Sequence, residues 1–234
     1  MPAIPLDRNA WTEPGLFEVA PGVYRIPLPL PNDGLRAVNV YALVHGADLL
    51  LIDSGWAIPG ARAVLDQALA ALGATAGDVR RILVTHVHRD HYTQAIYLRR
   101  EFGVPVSLGI GDRESLASSM RQDRLPLQHQ LEYLRLLGAG ELADRVARLQ
   151  APRDPYKTGW EMPDDWLRDG EVVAHGDRSL DVVATPGHTA ATSCSTTPAA
   201  VCCSPVTTCC LPSPRRSGSS RCCQTIRSAR SWAR

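Results

Sequence analysis

No cysteine occurs before Cys194 in this chain of 234 residues. That absence excludes a disulfide framework, thiolate metal ligands and a cysteine nucleophile from most of the sequence. Lysine is scarcer still, with Lys157 alone against 24 arginines, a bias expected of GC-rich coding DNA. No apolar run approaches the ~18 residues of a membrane-spanning helix. The first residues, "MPAIPLDRNAWTEPG", lack the basic-then-apolar order of a signal peptide, so a cytoplasmic location and no membrane partner are expected. A formal net charge of +1 gives no global argument for nucleic-acid binding.

Two further absences are positional. No acidic residue follows Asp181, and no histidine follows His188. Up to residue 190 there are 19 basic and 24 acidic side chains, net −5, whereas six arginines give the remainder +6. All seven cysteines also fall in that remainder, at Cys194, Cys202, Cys203, Cys209, Cys210, Cys222 and Cys223. Its large apolar residues are only Val201, Val206, Leu211, Ile226 and Trp232, too few to offset the ordering entropy of residues 191–234. Disorder is therefore expected there, with one domain over 1–190.

Within 1–190 the pattern alternates. "GVYRIPLPL", "AVNVYALVHG" and "ADLLLIDSG" read as strands, and "GARAVLDQALAALG" as an amphipathic helix with Val64, Leu65, Leu69 and Leu72 on one face. "RRILVTH" reads as a buried strand, "YTQAIYLRREFG" as a helix ending at Gly103, and "VPVSLG" as the next strand. Residues 111–150 have helical periodicity broken near Pro126, and 151–170 form a loop rich in Pro, Asp and Trp. "EVVAHGDRSLDVVATPGH" resumes as two strands and a turn. Alternating strands and helices predict an α/β fold.

The chemistry concentrates in "THVHRDH". His86 and His88 alternate on an extended segment and therefore point the same way, within reach of one metal ion. Asp90 and His91 lie at the turn into the next helix, directed to a neighbouring position. Imidazole and carboxylate are the usual non-sulfur zinc ligands. His188, on the Pro186–Gly187 turn of "TPGH", supplies a third histidine directly after another strand. Asp53, closing "LLLIDSG", reads equally as a turn cap or as a support for a metal ligand. His45, His129 and His175 have no partners in sequence and read as surface or core residues; Trp160 and Trp166 read as entrance-lining or packing residues.

"THVHRDH", "LLIDSG" and "ATPGHT", in this order and spacing over residues 20–190, resemble the metallo-β-lactamase-fold hydrolases, in the branch of glyoxalase II, esterases and lactonases. The resemblance implies an αββα sandwich with a zinc site of one or two ions at one sheet edge, iron or manganese being further options. It implies His86, His88 and His188 as ligands of the first metal, and Asp90 and His91 as ligands of a second, with Asp90 also orienting the nucleophile. Residues 111–170 would be the helical segment covering the site. The implied activity is hydrolysis of a small-molecule ester, thioester or lactone by metal-generated hydroxide. Nothing in the sequence points to β-lactam cleavage or fixes an oligomeric state. A mononuclear-iron oxygenase on the same fold and a non-catalytic binding remnant are the competing readings.

The family's bridging aspartate and last histidine have no counterpart after His188, which implies an incomplete second metal site, a second sheet missing its C-terminal strands, and impaired activity. A shifted reading frame accounts for the change of composition. Read one frame over, "TAATSCSTTP" is compatible with "TAGHVVLYDP", and "AVCCSPVTTCC" with "GVLFTGDHV", which holds a "GD" near Val206 and Thr207. One base lost near the Ala190 and Ala191 codons would suffice. A disulfide set, a zinc module and an arginine-rich nucleic-acid arm fit the tail less well, given seven cysteines in adjacent pairs and arginines without aromatics.

Overall fold

The computed structural model describes residues 10–30, 34–120, 128–148, 160–185 and 187–189, together with the backbone of 193–197, 200–203 and 208–210. A first sheet of seven strands runs β1 (Phe17–Ala20), β2 (Val23–Pro29), β3 (Ala37–His45), β4 (Asp48–Ile52), β5 (Val79–Val84), β6 (Val106–Gly109), β7 (Asp165–Leu167), in that spatial order. The first four strands pair antiparallel, and β4 to β7 pair parallel. Helix α1 (Pro59–Ala71) crosses from β4 to β5, and α2 (Arg89–Phe102) from β5 to β6. The parallel half therefore sends three consecutive strand ends, those of β4, β5 and β6, to the same edge of the sheet, where polar residues of α/β folds gather.

Strand alternation divides the interior in two. Leu49 and Leu51 of β4, with Ile82 and Val84 of β5, face Leu65 and Leu69 of α1 and Ile96 and Leu98 of α2. Leu50, Ile52 and Leu83 point the other way, onto Val173, Leu180 and Val182 of a second sheet. Helix α1 starts with Pro59 in its first turn and stops before Gly73, whose φ of +72° takes the left-handed position that glycine tolerates best. The apolar stripe expected on α1 is present, with Leu65 and Leu69 fully buried and Val64 and Leu72 packed at its margin. Helix α2 ends in the same way at Gly103, with Asp90 in its first turn and Arg99 and Arg100 in its last, signs that complement the helix dipole.

The second sheet comprises β8 (Val172–His175), β9 (Arg178–Ala184), β10 (Ser193–Thr197), β11 (Ala200–Cys203) and β12 (Thr208–Cys210), all antiparallel. Beyond β9 the described backbone of β10, β11 and β12 continues the sheet, with Ser193 opposite Ala184 and Thr196 opposite Asp181. Sheet pairing is made by backbone N–H and C=O groups, which every residue but proline supplies, so a sequence too poor for a core can still extend an existing edge. Ala190, Ala191, Val206, Thr207 and residues 211–234 lie outside the described residues, as do Pro126, Pro186 and residues 149–159.

Among the described residues the helical region after β6 includes α3 (Arg113–Met120), α4 (Gln128–Leu136) and α5 (Gly140–Arg148), of which α4 and α5 pack as a hairpin around Leu131 and Ala143. Two sheets face to face, with α1 and α2 outside the first, make the layered α/β arrangement expected from the sequence. Among the described residues no helix is long and apolar enough to cross a membrane.

Gly55 follows Asp53 and Ser54 with a φ of +91°, and a Cβ built there would lie 2.5 Å from Cδ1 of the buried Leu28. Gly55→Ala is expected to destabilise the metal-free protein by about 1–2 kcal/mol from the left-handed backbone alone. A urea midpoint shift measures it, and an unshifted midpoint would contradict the geometry.

Candidate metal centre

Strand β5 ends at Val84, and the chain then passes Thr85, His86, Val87 and His88 before α2 begins at Arg89. His88 keeps the extended conformation of an N-cap residue, φ −68° and ψ 149°. As expected, His86 and His88 therefore turn the same way, with His86 Nε2 3.1 Å from His88 Nδ1. His188 reaches the same point from the turn after β9, its Nε2 3.1 Å from His88 Nδ1. Donor nitrogens of all three lie within 4.8 Å of one another. Two nitrogens on a tetrahedral zinc with bonds of 2.0–2.1 Å are about 3.3 Å apart, so this spacing suits a shared divalent cation.

The protonation pattern also suits one. Burial lowers the pKa of His86 to about 2, with the neighbouring imidazoles of His91, His88 and His188 adding to the effect. Burial and His188 lower that of His88, against the opposing charges of Asp90 and Asp112. Both rings are thus held neutral, with lone pairs available. The tautomer of His86 follows from its partners. Thr85 donates its hydroxyl to Asp53 at 2.9 Å, so its oxygen, 3.0 Å from His86 Nδ1, is left to accept, and the bare nitrogen is the Nε2 that faces His88.

Asp53, which the sequence left open between cap and support, is the hub behind these rings. It is 1% exposed and sits at φ +63°. Its carboxylate accepts from the Thr85 N–H at 2.8 Å, from the Thr85 hydroxyl, and from His91 Nδ1 at 2.8 Å. Burial alone would lower the pKa of His91, but the charge and hydrogen bond of Asp53, helped by Asp90, leave it raised. His91 Nε2 then faces Asp90, 3.5 Å from its Oδ2. Ser54 fixes the loop by donating to the His91 carbonyl at 2.7 Å and accepting from Ala95 N–H at 2.8 Å.

Of the five residues expected to bind metal, the structure brings three into one group, His86, His88 and His188. Asp90 and His91 lie beside that group as a pair. The bland readings of the other histidines fit their positions. His45 contacts Asp177, His129 lies on exposed α4 near Glu132, and buried His175 donates to the Leu43 carbonyl at 3.1 Å. Sequence reasoning missed Asp112, fully buried after β6, whose Oδ2 accepts from the Val87 N–H at 2.9 Å and from the Thr189 hydroxyl at 3.3 Å. Its only signal was an acid shortly after an apolar strand, the same kind of signal that marked Asp53.

The group opens into a cleft of about 540 Å³ walled by Arg89, Asp90, Ser115, Ser119 and Trp160. Trp160 stacks on Tyr92 at 6.2 Å between ring centroids, and the Tyr92 hydroxyl donates to the Glu161 carbonyl at 2.7 Å. Arg99 and Arg100 both pair with the Glu161 carboxylate, which staples this stretch of the cover to α2. Arg89 lies over the Trp56 ring, 4.2 Å from its centroid. Trp166 is instead in β7, packed against the core.

Comparison with known proteins agrees with this geometry. The profile of the metallo-beta-lactamase superfamily matches residues 33–203. An uncharacterized protein of Mycobacterium tuberculosis (strain H37Rv) is 30% identical over 162 residues, covering 67% of this chain and 58% of its own. A probable metallo-hydrolase of Burkholderia pseudomallei is 29% identical over 126 residues, covering 54% of this chain and 34% of its own. The chain thus spans between a third and three-fifths of the length of these relatives. A metallo-beta-lactamase family protein of Thermus thermophilus has a TM-score of 0.57 at 26% identity, covering 76% of this chain and 56% of that one. The subclass B3 metallo-beta-lactamase BJP-1 of Bradyrhizobium japonicum shares the fold, with a TM-score of 0.53 at 22% identity over 80% of this chain and 58% of that one. With a family match over most of its length and three histidines meeting where two sheets converge, the chain belongs to the metallo-beta-lactamase superfamily.

Proposed function

We propose that this chain carries the metal site of a zinc-dependent hydrolase acting on a small ester, thioester or lactone. The observation that carries the reading is the convergence of His86, His88 and His188, with His88 and His188 lining an open cleft and His86 buried behind them. A divalent cation held by these three would supply Lewis acidity and lower the pKa of a bound water toward ~7. The chain's own residues do the rest. Asp90, on the cleft wall, accepts a hydrogen bond from the attacking water and orients it. Asp53 fixes the tautomers of His86 and His91, so that each turns a bare nitrogen outward. Trp160 offers an apolar wall to an acyl group, and Arg89 a cation at the rim.

Activity is proposed to be weak, because the second metal position retains only Asp90 and His91 as candidate ligands among the described residues. The expected result is close to one zinc per chain by elemental analysis after purification. Slow hydrolysis in an ester, thioester and lactone panel should disappear on chelation. Two tightly held ions per chain would contradict the incomplete second site. His86→Ala leaving all hydrolysis unchanged would favour a non-catalytic remnant. The single-ion arrangement also favours one second reading, a mononuclear-iron oxygenase, which iron content with oxygen consumption would reveal.

The composition after residue 190 is proposed to result from a shifted reading frame. The gene sequenced around codon 190 should contain, one frame over, a strand followed by Gly-Asp. An alternative frame without them would sink this account.

A further inference from the structure

His86 and His88 belong to the first sheet and His188 to the second, so their spacing depends on what holds the sheets in register. The described apolar contact between the sheets is modest on the second side, made by Val173, Leu180 and Val182. None of the three lies in the turn that carries His188. We propose that Asp112 is the positioning residue that locks the His188 turn to the His86–His88 segment, and that divalent-metal affinity depends on its carboxylate. This rests on the metal-site reading above.

One oxygen of Asp112 makes both connections. It accepts the N–H of Val87, the residue between the two first-sheet histidines, and the hydroxyl of Thr189, the residue after His188. Thr189 is itself tied into its turn, its carbonyl accepting from the Gly187 N–H at 3.0 Å around His188. A shift of the turn relative to the strand end must therefore stretch one of these bonds. The carboxylate acts through the two hydrogen bonds it accepts, from Val87 and from Thr189. It is fully buried, where a negative charge stabilises a nearby cation more strongly than it would in water. Asp53 supports the site from directly after β4 and Asp112 from the short 3-10 turn that follows β6, one on either side of the strand that leads to the histidines.

The test uses the full chain with zinc alone, affinity being read by competition with a chromogenic chelator. Cobalt(II) absorption of the same proteins reports ligand geometry, and metal-free thermal melts report folding. Asp112→Ala is expected to weaken zinc binding about 10- to 100-fold and to alter the cobalt spectrum, the range for losing a partner that orients ligands. Asp112→Asn, whose amide oxygen can accept both hydrogen bonds, should restore the cobalt spectrum and recover part of the affinity. Thr189→Val removes the hydroxyl that makes the cross-sheet bond and should weaken zinc roughly fivefold, as for one hydrogen bond of about 1 kcal/mol. If Asp112→Ala fails to fold, Thr189→Val decides. Wild-type zinc affinity and cobalt spectrum in folded Asp112→Ala or in Thr189→Val overturn the proposal while the metal site stands. A wild-type chain that binds no zinc overturns both.

Discussion

His188→Ala is expected to lower zinc affinity by roughly 100-fold or more while leaving metal-free stability within about 0.5 kcal/mol of wild type. The two halves of this result have different causes. Losing a residue that merely orients a ligand costs about 10- to 100-fold in affinity, and His188 is placed as a ligand itself. Its Nε2 is one of three nitrogens in the group, and the remaining two come from a single strand end. Stability is spared because His188 is exposed, in a turn, with its ring against His88 rather than in either core. Exposed substitutions away from caps and cores usually stay within that margin. His86→Ala should differ, since His86 is 1% exposed and bonded to Thr85, so affinity and stability fall together. Chelator competition and metal-free melting distinguish the two. Zinc affinity unchanged in His188→Ala would place the third donor elsewhere.

Why were some parts of this site readable from the sequence and others not? The pair His86 and His88 is separated by one residue, and its geometry follows from the extended backbone alone. The strands and helices from Val23 to Gly103 were equally legible, because the apolar run "LLLI" and the three-to-four spacing of Leu65, Leu69 and Leu72 are local signals. Asp53 is different. Its partners Thr85 and His91 lie 32 and 38 positions away, so only the parallel pairing of β4 with β5 brings them together. Asp112 is more remote still from Thr189, 77 positions on and in the other sheet. Such residues carry the same sequence mark, an acid at the end of an apolar strand, which does not tell a turn cap from a support for a ligand.

The stretch beyond His188 shows the converse. Its composition changes character, with no acid after Asp181, no histidine after His188 and every cysteine from Cys194 onward. Composition reports what side chains can bury, however, and says little of what a backbone can pair with. Strand β9 presents an edge at Asp181–Ala184, and residues 193–196 take it in antiparallel register. An open edge recruits the chain that follows it whenever that chain can be extended. The described strands β10 to β12 thus extend the sheet although no acid or histidine follows His188.

Asp53→Asn is expected to change the pH dependence of stability as well as its size. In the metal-free protein Asp53 raises the pKa of His91 against the effect of burial. A histidine whose folded pKa lies above its unfolded value contributes stability that is fully present below about pH 6.5 and is lost as pH rises through the folded value. His86, His88 and His175 have lowered values, so their contribution has the opposite slope and is lost as pH falls. The two trends overlap in any single profile. The prediction is therefore made on the difference between wild type and variant, in which the three unchanged histidines largely cancel. That difference should be greatest in acid, about 3–5 kcal/mol for an uncompensated buried partner, and should shrink as His91 loses its proton. Asparagine tolerates the φ of +63° at this position, so the backbone contributes little to the change. Asp53→Ala adds that strain and should be less stable by a further 1–2 kcal/mol or so at every pH. Urea unfolding with chelator present, from pH 5 to 9, measures both variants. Parallel profiles for wild type and Asp53→Asn would mean that Asp53 does not help His91 hold its second ring proton in the folded state, and the charge-based account of the hub would fail.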